Sequence, residues 1–204
     1  MKWRNAWLFA FRLVLVAALL AVATAPLAAQ GARDQLKGTY FFGGEQACLV
    51  SSLGFNPNFT PATGSVVSVQ SASTQGVYEF NPDGTGAGHF KELVIVHAPA
   101  SPVFAGSLET SFSFTYALAE DGLLTVVSGL VNGTFITGPL AGVSVTNDPP
   151  PLSGRIARNG NAITLTTADP TVENTTLGPP ANRVIPRICH RMRVLSPVHV
   201  GVED

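Results

Sequence analysis

Residues 75–96, QGVYEFNPDGTGAGHFKELVIV, constrain the fold more than any other part of the chain. Two runs flank a Pro-Asp-Gly sequence, and Asp-Gly accepts the positive φ of a tight turn. Successive side chains of a strand point to opposite faces, so Tyr78 and Phe80 share one face of the first run while Val77 and Glu79 share the other. The segment therefore predicts a β-hairpin with an apolar face.

The same alternation recurs downstream. Residues 108–118 place Phe112, Phe114, Tyr116 and Leu118 on one face, opposite serine and threonine. This pattern is typical of a strand with one buried and one solvated face. We expect the aromatic side chains of both segments to point into a common interior.

Turn residues divide the rest of the chain into further strands. Glu120-Asp121-Gly122 predicts a turn before strand 123–128, and Asn132-Gly133 predicts another before strand 134–137. The other predicted strands are residues 36–43, 66–70, 152–158, 162–167 and 183–195. The predicted loops are residues 45–64, which contain Cys48, together with the proline-bearing residues 138–151 and 168–182.

This spacing predicts an all-β, antiparallel fold of about 8–10 strands. A long meander has to close or split into two sheets to protect its edges. We expect an up-and-down β-barrel first, with a β-sandwich as the alternative.

The first 29 residues have the pattern of an export signal. Lys2, Arg4 and Arg12 occur without any acid, an apolar run spans residues 13–23, and Pro26-Leu27-Ala28-Ala29 supplies small residues at the exit. The apolar run is shorter than the roughly 20 residues of a membrane-spanning helix, so cleavage is favoured over an uncleaved anchor. We expect residues 30–204 to form one exported domain, periplasmic or extracellular, with no transmembrane span.

Composition narrows the choice of partners. The chain has 12 basic and 13 acidic residues, and three of the basic ones lie in the predicted signal. Without a basic patch outside the C-terminal strand, binding to nucleic acid is not expected. The two cysteines, Cys48 and Cys189, are most simply one disulfide in an oxidising compartment, the alternative being reactive thiols or metal ligands.

Few side chains suggest chemistry. His89 and His97 are eight residues apart, about 26 Å along a strand, which is too far for one metal ion. No metal site and no cofactor are expected, and the sequence assigns no catalytic residue. Gly84 to Gly88 resembles a phosphate-binding loop but no helix follows it, so a hairpin shoulder or bulge is favoured.

The last predicted strand alternates two kinds of residue. Arg187, Cys189, Arg191 and Arg193 share one face. We interpret this row as a solvated outer face, with a carboxylate- or phosphate-binding surface as the alternative. On the opposite parity, His190 is then a candidate for the interior.

Gly38-Thr39-Tyr40 and the arginine-bearing last strand carry a resemblance to a known family. The chain resembles a small exported lipocalin-like barrel of the calycin type, which has Gly-x-Trp in its first strand and an arginine over that aromatic ring. A disulfide from an early segment to the end is also similar to a lipocalin arrangement. The resemblance implies a lumen open at one end that binds a small apolar molecule, and it implies no catalytic residue.

The leading functional hypothesis is therefore binding of a small apolar ligand in the barrel lumen. The residues predicted to line that lumen are Tyr78, Phe80, Phe112, Phe114, Tyr116 and His190. The alternatives are a structural or interaction protein acting through its loops and outer surface, and a cofactor-free barrel enzyme such as a cyclase or isomerase. Sequence does not determine the oligomeric state.

Overall fold

The computed structural model of the protein describes residues 36–98, 101–157 and 160–198. The predicted signal peptide and its cleavage site lie outside the described residues. The secondary structure comprises β1 Gly38–Ser51, β2 Val67–Phe80, β3 Thr85–Ala98, β4 Ser101–Leu118, β5 Leu123–Ser128, β6 Val131–Phe135, β7 Ser144–Asn147, β8 Leu152–Ile156, β9 Ile163–Thr166, β10 Val172–Leu177 and β11 Arg183–Pro197.

These strands form one antiparallel sheet that closes on itself. β1 to β4 pair in chain order, and β1 also pairs with β11 along most of its length. The result is a ring of 8 strands in the order β1-β2-β3-β4-β5-β8-β9-β11. Ring closure pairs the edges that an open sheet would expose. The predicted all-β, antiparallel fold is confirmed.

The strands β4 and β11 each pair with two shorter strands on the same side. The first part of β4 pairs with β6 and its second part with β5, while β11 pairs first with β10 and then with β9. A second ring therefore runs β1-β2-β3-β4-β6-β7-β10-β11. We call the half closed by β5, β8 and β9 the upper tier, and the half closed by β6, β7 and β10 the lower tier.

The predicted hairpin is present as β2 and β3. Its turn is built on Asn81, Asp83 and Gly84: Asp83 Oδ1 accepts a hydrogen bond from Thr85 N at 2.9 Å, and Gly84 has φ +87°. The glycine-rich segment after Asn81 thus forms the turn and the first residues of β3, in agreement with the predicted hairpin shoulder.

Several predicted boundaries were wrong. β1 continues to Ser51, so Cys48 lies in a strand and not in a loop. Asn132-Gly133 lies within β6, where Gly133 approaches Glu109 O so closely that a Cβ would be 2.9 Å from it. The glycine serves close strand packing instead of a turn. The two predicted loops 138–151 and 168–182 contain β7 and β10, which are short and polar and are held by their neighbours.

Aromatic side chains fill the upper tier. Tyr78, Phe80, Phe112, Phe114 and Tyr116 are all buried in one cluster, with Leu118 packed against it. Neighbouring rings lie with centroids 5.1 Å apart for Phe80 and Phe114, and 5.2 Å apart for Tyr78 and Phe112. The predicted common aromatic interior is confirmed.

Two glycines of β3 make room for these rings. A Cβ on Gly88 would lie 2.4 Å from Phe112 Cζ, and a Cβ on Gly86 would lie 2.1 Å from Phe114 Cζ. The rings therefore occupy the space that side chains at these positions would take.

We expect Gly88→Ala to destabilise the fold by about 1–3 kcal/mol, because the added methyl group overpacks the core. Urea unfolding measures the change, with Gly43→Ala as control, since nothing lies within 4 Å of a Cβ at Gly43. Equal stability of the two variants would contradict this account of the packing.

The predicted disulfide is present. Cys48 and Cys189 are bonded, with their Cα atoms 4.1 Å apart, and they face each other across the β1–β11 ladder. Both are buried. Among residues 36–98, 101–157 and 160–198, no helix is long and apolar enough to cross a membrane.

Candidate ligand-binding site in the lower tier

The orientation of the last strand is the reverse of the prediction. Arg187, Arg191 and Arg193 point into the barrel and are only 5%, 4% and 9% exposed. His190 is exposed on the outer surface, with Nε2 3.4 Å from Thr166 Oγ1. The solvated arginine face and the interior position of His190 were therefore both wrong. Cys189 shares the parity of the arginines, and a disulfide-bonded cysteine is usually buried, so this was the overlooked signal.

A carboxylate on β10 compensates two of the arginines. Glu173 Oε1 accepts hydrogen bonds from Arg187 Nε at 2.6 Å and from Arg191 Nη2. Arg191 Nε also donates to Gln46 Oε1 at 2.7 Å. Burial lowers the pKa of the Arg191 guanidinium, while the charge of Glu173 opposes that shift. Because β10 lies in a predicted loop, sequence analysis missed Glu173 as an interior residue.

No carboxylate among the described residues forms an ion pair with Arg193. Its Nη1 donates to the Tyr78 hydroxyl, and its guanidinium lies 5.1 Å from the ring centroid of Phe42 and 5.2 Å from that of Phe90. Cation–π attraction and a hydrogen bond thus stabilise it at the boundary between the tiers. Tyr40 is the aromatic residue that the lipocalin resemblance places beneath an arginine. Its ring packs edge-on against the ring of Phe80 instead, with the ring centroids 5.4 Å apart.

Below this boundary the barrel interior is open. A cavity of about 350 Å³ lies in the lower tier. Its apolar wall includes Val94, Val96, Leu108, Phe135, Val145 and Leu177. The exposed residues Val66 and Arg183 also line it, so the cavity reaches the protein surface.

Polar residues meet the same cavity, among them Gln70, Glu92, Thr110, Asn147, Thr175 and Arg187. In the part of the chain that the structure describes, Thr110 Oγ1, Asn147 Oδ1 and Thr175 Oγ1 are buried and make no hydrogen bond. Buried polar atoms are usually paired, so three unpaired atoms on residues that line one cavity make this part of the interior a candidate binding site.

Glu92 is the most unusual of these residues. It is 7% exposed, and its carboxyl group has no hydrogen bond or ion pair to any of the described residues. Burial raises the pKa of the Glu92 carboxyl group. The positive charges of Arg187, Arg191 and Arg193 lower this pKa, and the negative charge of Glu173 raises it. The net effect is a raised pKa, which favours the protonated carboxyl group. A buried titratable group in a cavity is a candidate functional residue.

None of the six residues predicted to line the lumen lines this cavity. The five aromatic residues fill the upper tier, and His190 is outside. The sequence did contain a signal for Glu92, because this acid has the parity of Phe90 and Val94 on β3. A charged residue on the apolar face of the β2–β3 hairpin indicated an interior acid, which the sequence analysis did not predict.

The arrangement does not suggest a metal centre: within the described ranges, no group of three His, Cys, Asp or Glu side chains is placed to hold a metal ion. No protein-family model matches this chain, and neither does any of the curated proteins compared with it.

Proposed function

We propose that this protein binds a small, mostly apolar molecule in the lower-tier cavity. The observation that carries the proposal is the cavity of about 350 Å³, with its apolar wall and its unpaired polar atoms. Ligand pockets of proteins are commonly about 300–1,000 Å³, mostly apolar, with a few placed polar groups. A cavity at the lower end of that range suits a small ligand.

The contrast between the two tiers supports this proposal over action through the outer surface alone. In the upper tier, large aromatic side chains and two glycines pack closely, and the pocket beside Phe112 and Leu152 has a volume of only about 10 Å³. In the lower tier, strands of similar length enclose an open volume instead. An apolar ligand that replaces water against the apolar wall of such a cavity gains hydrophobic and dispersion contacts, so binding of a ligand of this kind is favoured here.

Filling the cavity tests the proposal. We expect Val96→Phe to weaken binding of a fluorescent apolar dye about tenfold or more, because the ring takes up volume that the dye needs. Ile95→Phe is the matched control, since Ile95 is the neighbouring residue and is 36% exposed. Circular dichroism establishes that both variants fold.

Native mass spectrometry of the protein purified from its own source provides the second measurement. A retained small molecule that is lost from Val96→Phe is the expected result. Absence of any bound mass, together with no dye binding by the wild-type protein, would overturn the proposed function.

A further inference from the structure

We propose that the lower-tier cavity selects ligands with a carboxylate at their inner end, and that Glu92, in its protonated form, donates a hydrogen bond to that carboxylate. This inference rests on the proposed function and names its ligand class. The ligand is then a small carboxylic acid with an apolar chain.

The first argument is the charge of the buried cluster. Three guanidinium groups, those of Arg187, Arg191 and Arg193, are accompanied by Glu173 and Glu92. Both ion pairs to Glu173 use the same oxygen, Oε1, and Arg193 is bound by a hydroxyl group and aromatic rings. Among these five described side chains, positive charge exceeds negative charge whether Glu92 is ionised or not. Charge interactions are strong where water is excluded, so an anion is favoured here and a cation is disfavoured.

The second argument is the position of Glu92. Arg187 also lines the cavity, so an entering anion meets both a guanidinium and a carboxyl group. A protonated carboxyl group has one O–H donor, and hydrogen bonds from O–H to an anionic oxygen are among the strongest in proteins. The charged groups that act on Glu92 come from β10 and β11, while its cross-strand neighbours Thr74 and Leu108 carry no charge.

The third argument is the shape of the rest of the site. The other lining residues are mostly valine, leucine and phenylalanine, and the exposed Arg183 also belongs to the lining. Such an apolar wall stabilises an alkyl or aryl chain through the hydrophobic effect, and burying a charged group against it is costly. A ligand with one anionic end and an apolar body matches both parts of the cavity.

A ligand series of constant chain length tests the class. Octanoate, octanol and octylamine differ only in the head group, and isothermal titration calorimetry measures their affinities for the wild-type protein near pH 6. We expect octanoate to bind about tenfold or more tightly than octanol, and octylamine to bind most weakly. Octanol binding as tightly as octanoate would overturn the inference while leaving the proposed function intact. Failure of all three and of the apolar dye would overturn both.

The pH dependence tests the role of Glu92. Octanoate affinity should fall as the pH is raised above the usual pKa of a glutamate, because octanoate is ionised there while Glu92 loses the donated proton and gains a repelling charge. Octanol, being neutral, should show little change. Glu92→Gln keeps a hydrogen-bond donor and cannot ionise, so its octanoate affinity should be independent of pH over this range.

Glu109→Gln is the matched control, because Glu109 is exposed and pairs with Lys91 on the outer surface. It should retain the pH dependence of the wild-type protein. Glu92→Gln with an unchanged pH dependence would show that another group is responsible. Wild-type octanoate and octanol curves of equal slope would overturn the role of Glu92 without recourse to any variant.

Discussion

Replacing Glu173 by glutamine should destabilise the fold by about 3–5 kcal/mol, the loss typical of removing one partner from a buried ion pair. Glu173 is the carboxylate that Arg187 and Arg191 share, and the side chains of all three are at most 6% exposed. Glutamine preserves the size and one acceptor oxygen but removes the charge. Two guanidinium groups would then be buried without a full counter-charge, which is far more costly than losing a hydrogen bond.

Chemical unfolding in urea measures this change, and Glu109→Gln again supplies the control. Glu109 pairs with Lys91 at 3.0 Å, but the side chains are 56% and 63% exposed. An exposed pair contributes at most about 1 kcal/mol, so the control should be nearly as stable as the wild-type protein. If Glu173→Gln lost no more stability than Glu109→Gln, the interior arginines would have to be compensated in another way.

Replacing both cysteines by alanine should cost about 2–5 kcal/mol. The disulfide joins residues separated by 141 positions, and the chain-entropy estimate for so large a loop is near the upper end of that range. Both cysteines lie inside the β1–β11 ladder, whose other residue pairs remain. The double variant should therefore fold into the same barrel, with its loss of stability arising mainly from a less restricted unfolded chain.

Urea unfolding of the double variant, and of the wild-type protein reduced with dithiothreitol, measures the effect. The two should lose similar stability, since both lack the crosslink. Circular dichroism should show the β-sheet signal of the wild-type protein in each case. A double variant within about 1 kcal/mol of the wild-type protein would mean that the crosslink restricts the unfolded chain far less than the loop length implies.

Local patterns determined a large part of this fold. The hairpin of β2 and β3, the aromatic face of β4 and the turn before β5 follow from period-two alternation and turn chemistry, which act over a few residues. The pairing of Cys48 with Cys189 followed from an even cysteine count together with a predicted export signal. The class of the fold was also predictable, because short connections between strands favour antiparallel pairing.

The strands of the lower tier were not predictable in this way. β7 has 4 residues and β10 has 6, and their serine, threonine and asparagine content is typical of loops. They are strands because the long β4 and β11 extend past the upper tier and leave backbone groups that need partners. The residues of such a short strand do not indicate which distant segment the strand pairs with.

The interior arginines show most clearly what the alternation of residues along a strand does not determine. By sequence alone, Arg187, Arg191 and Arg193 belong on a wet outer face, because a buried charge is stable only with partners that alternation does not reveal. Glu173 on β10, Gln46 on β1 and the aromatic rings of the upper tier supply those partners from other strands. The sequence by itself determined the strands of the upper tier, the disulfide and the aromatic core, since these depend on local period and cysteine count. Only the tertiary structure decided which face of β11 is buried and where the interior is open, because both depend on which distant side chains meet inside the closed barrel.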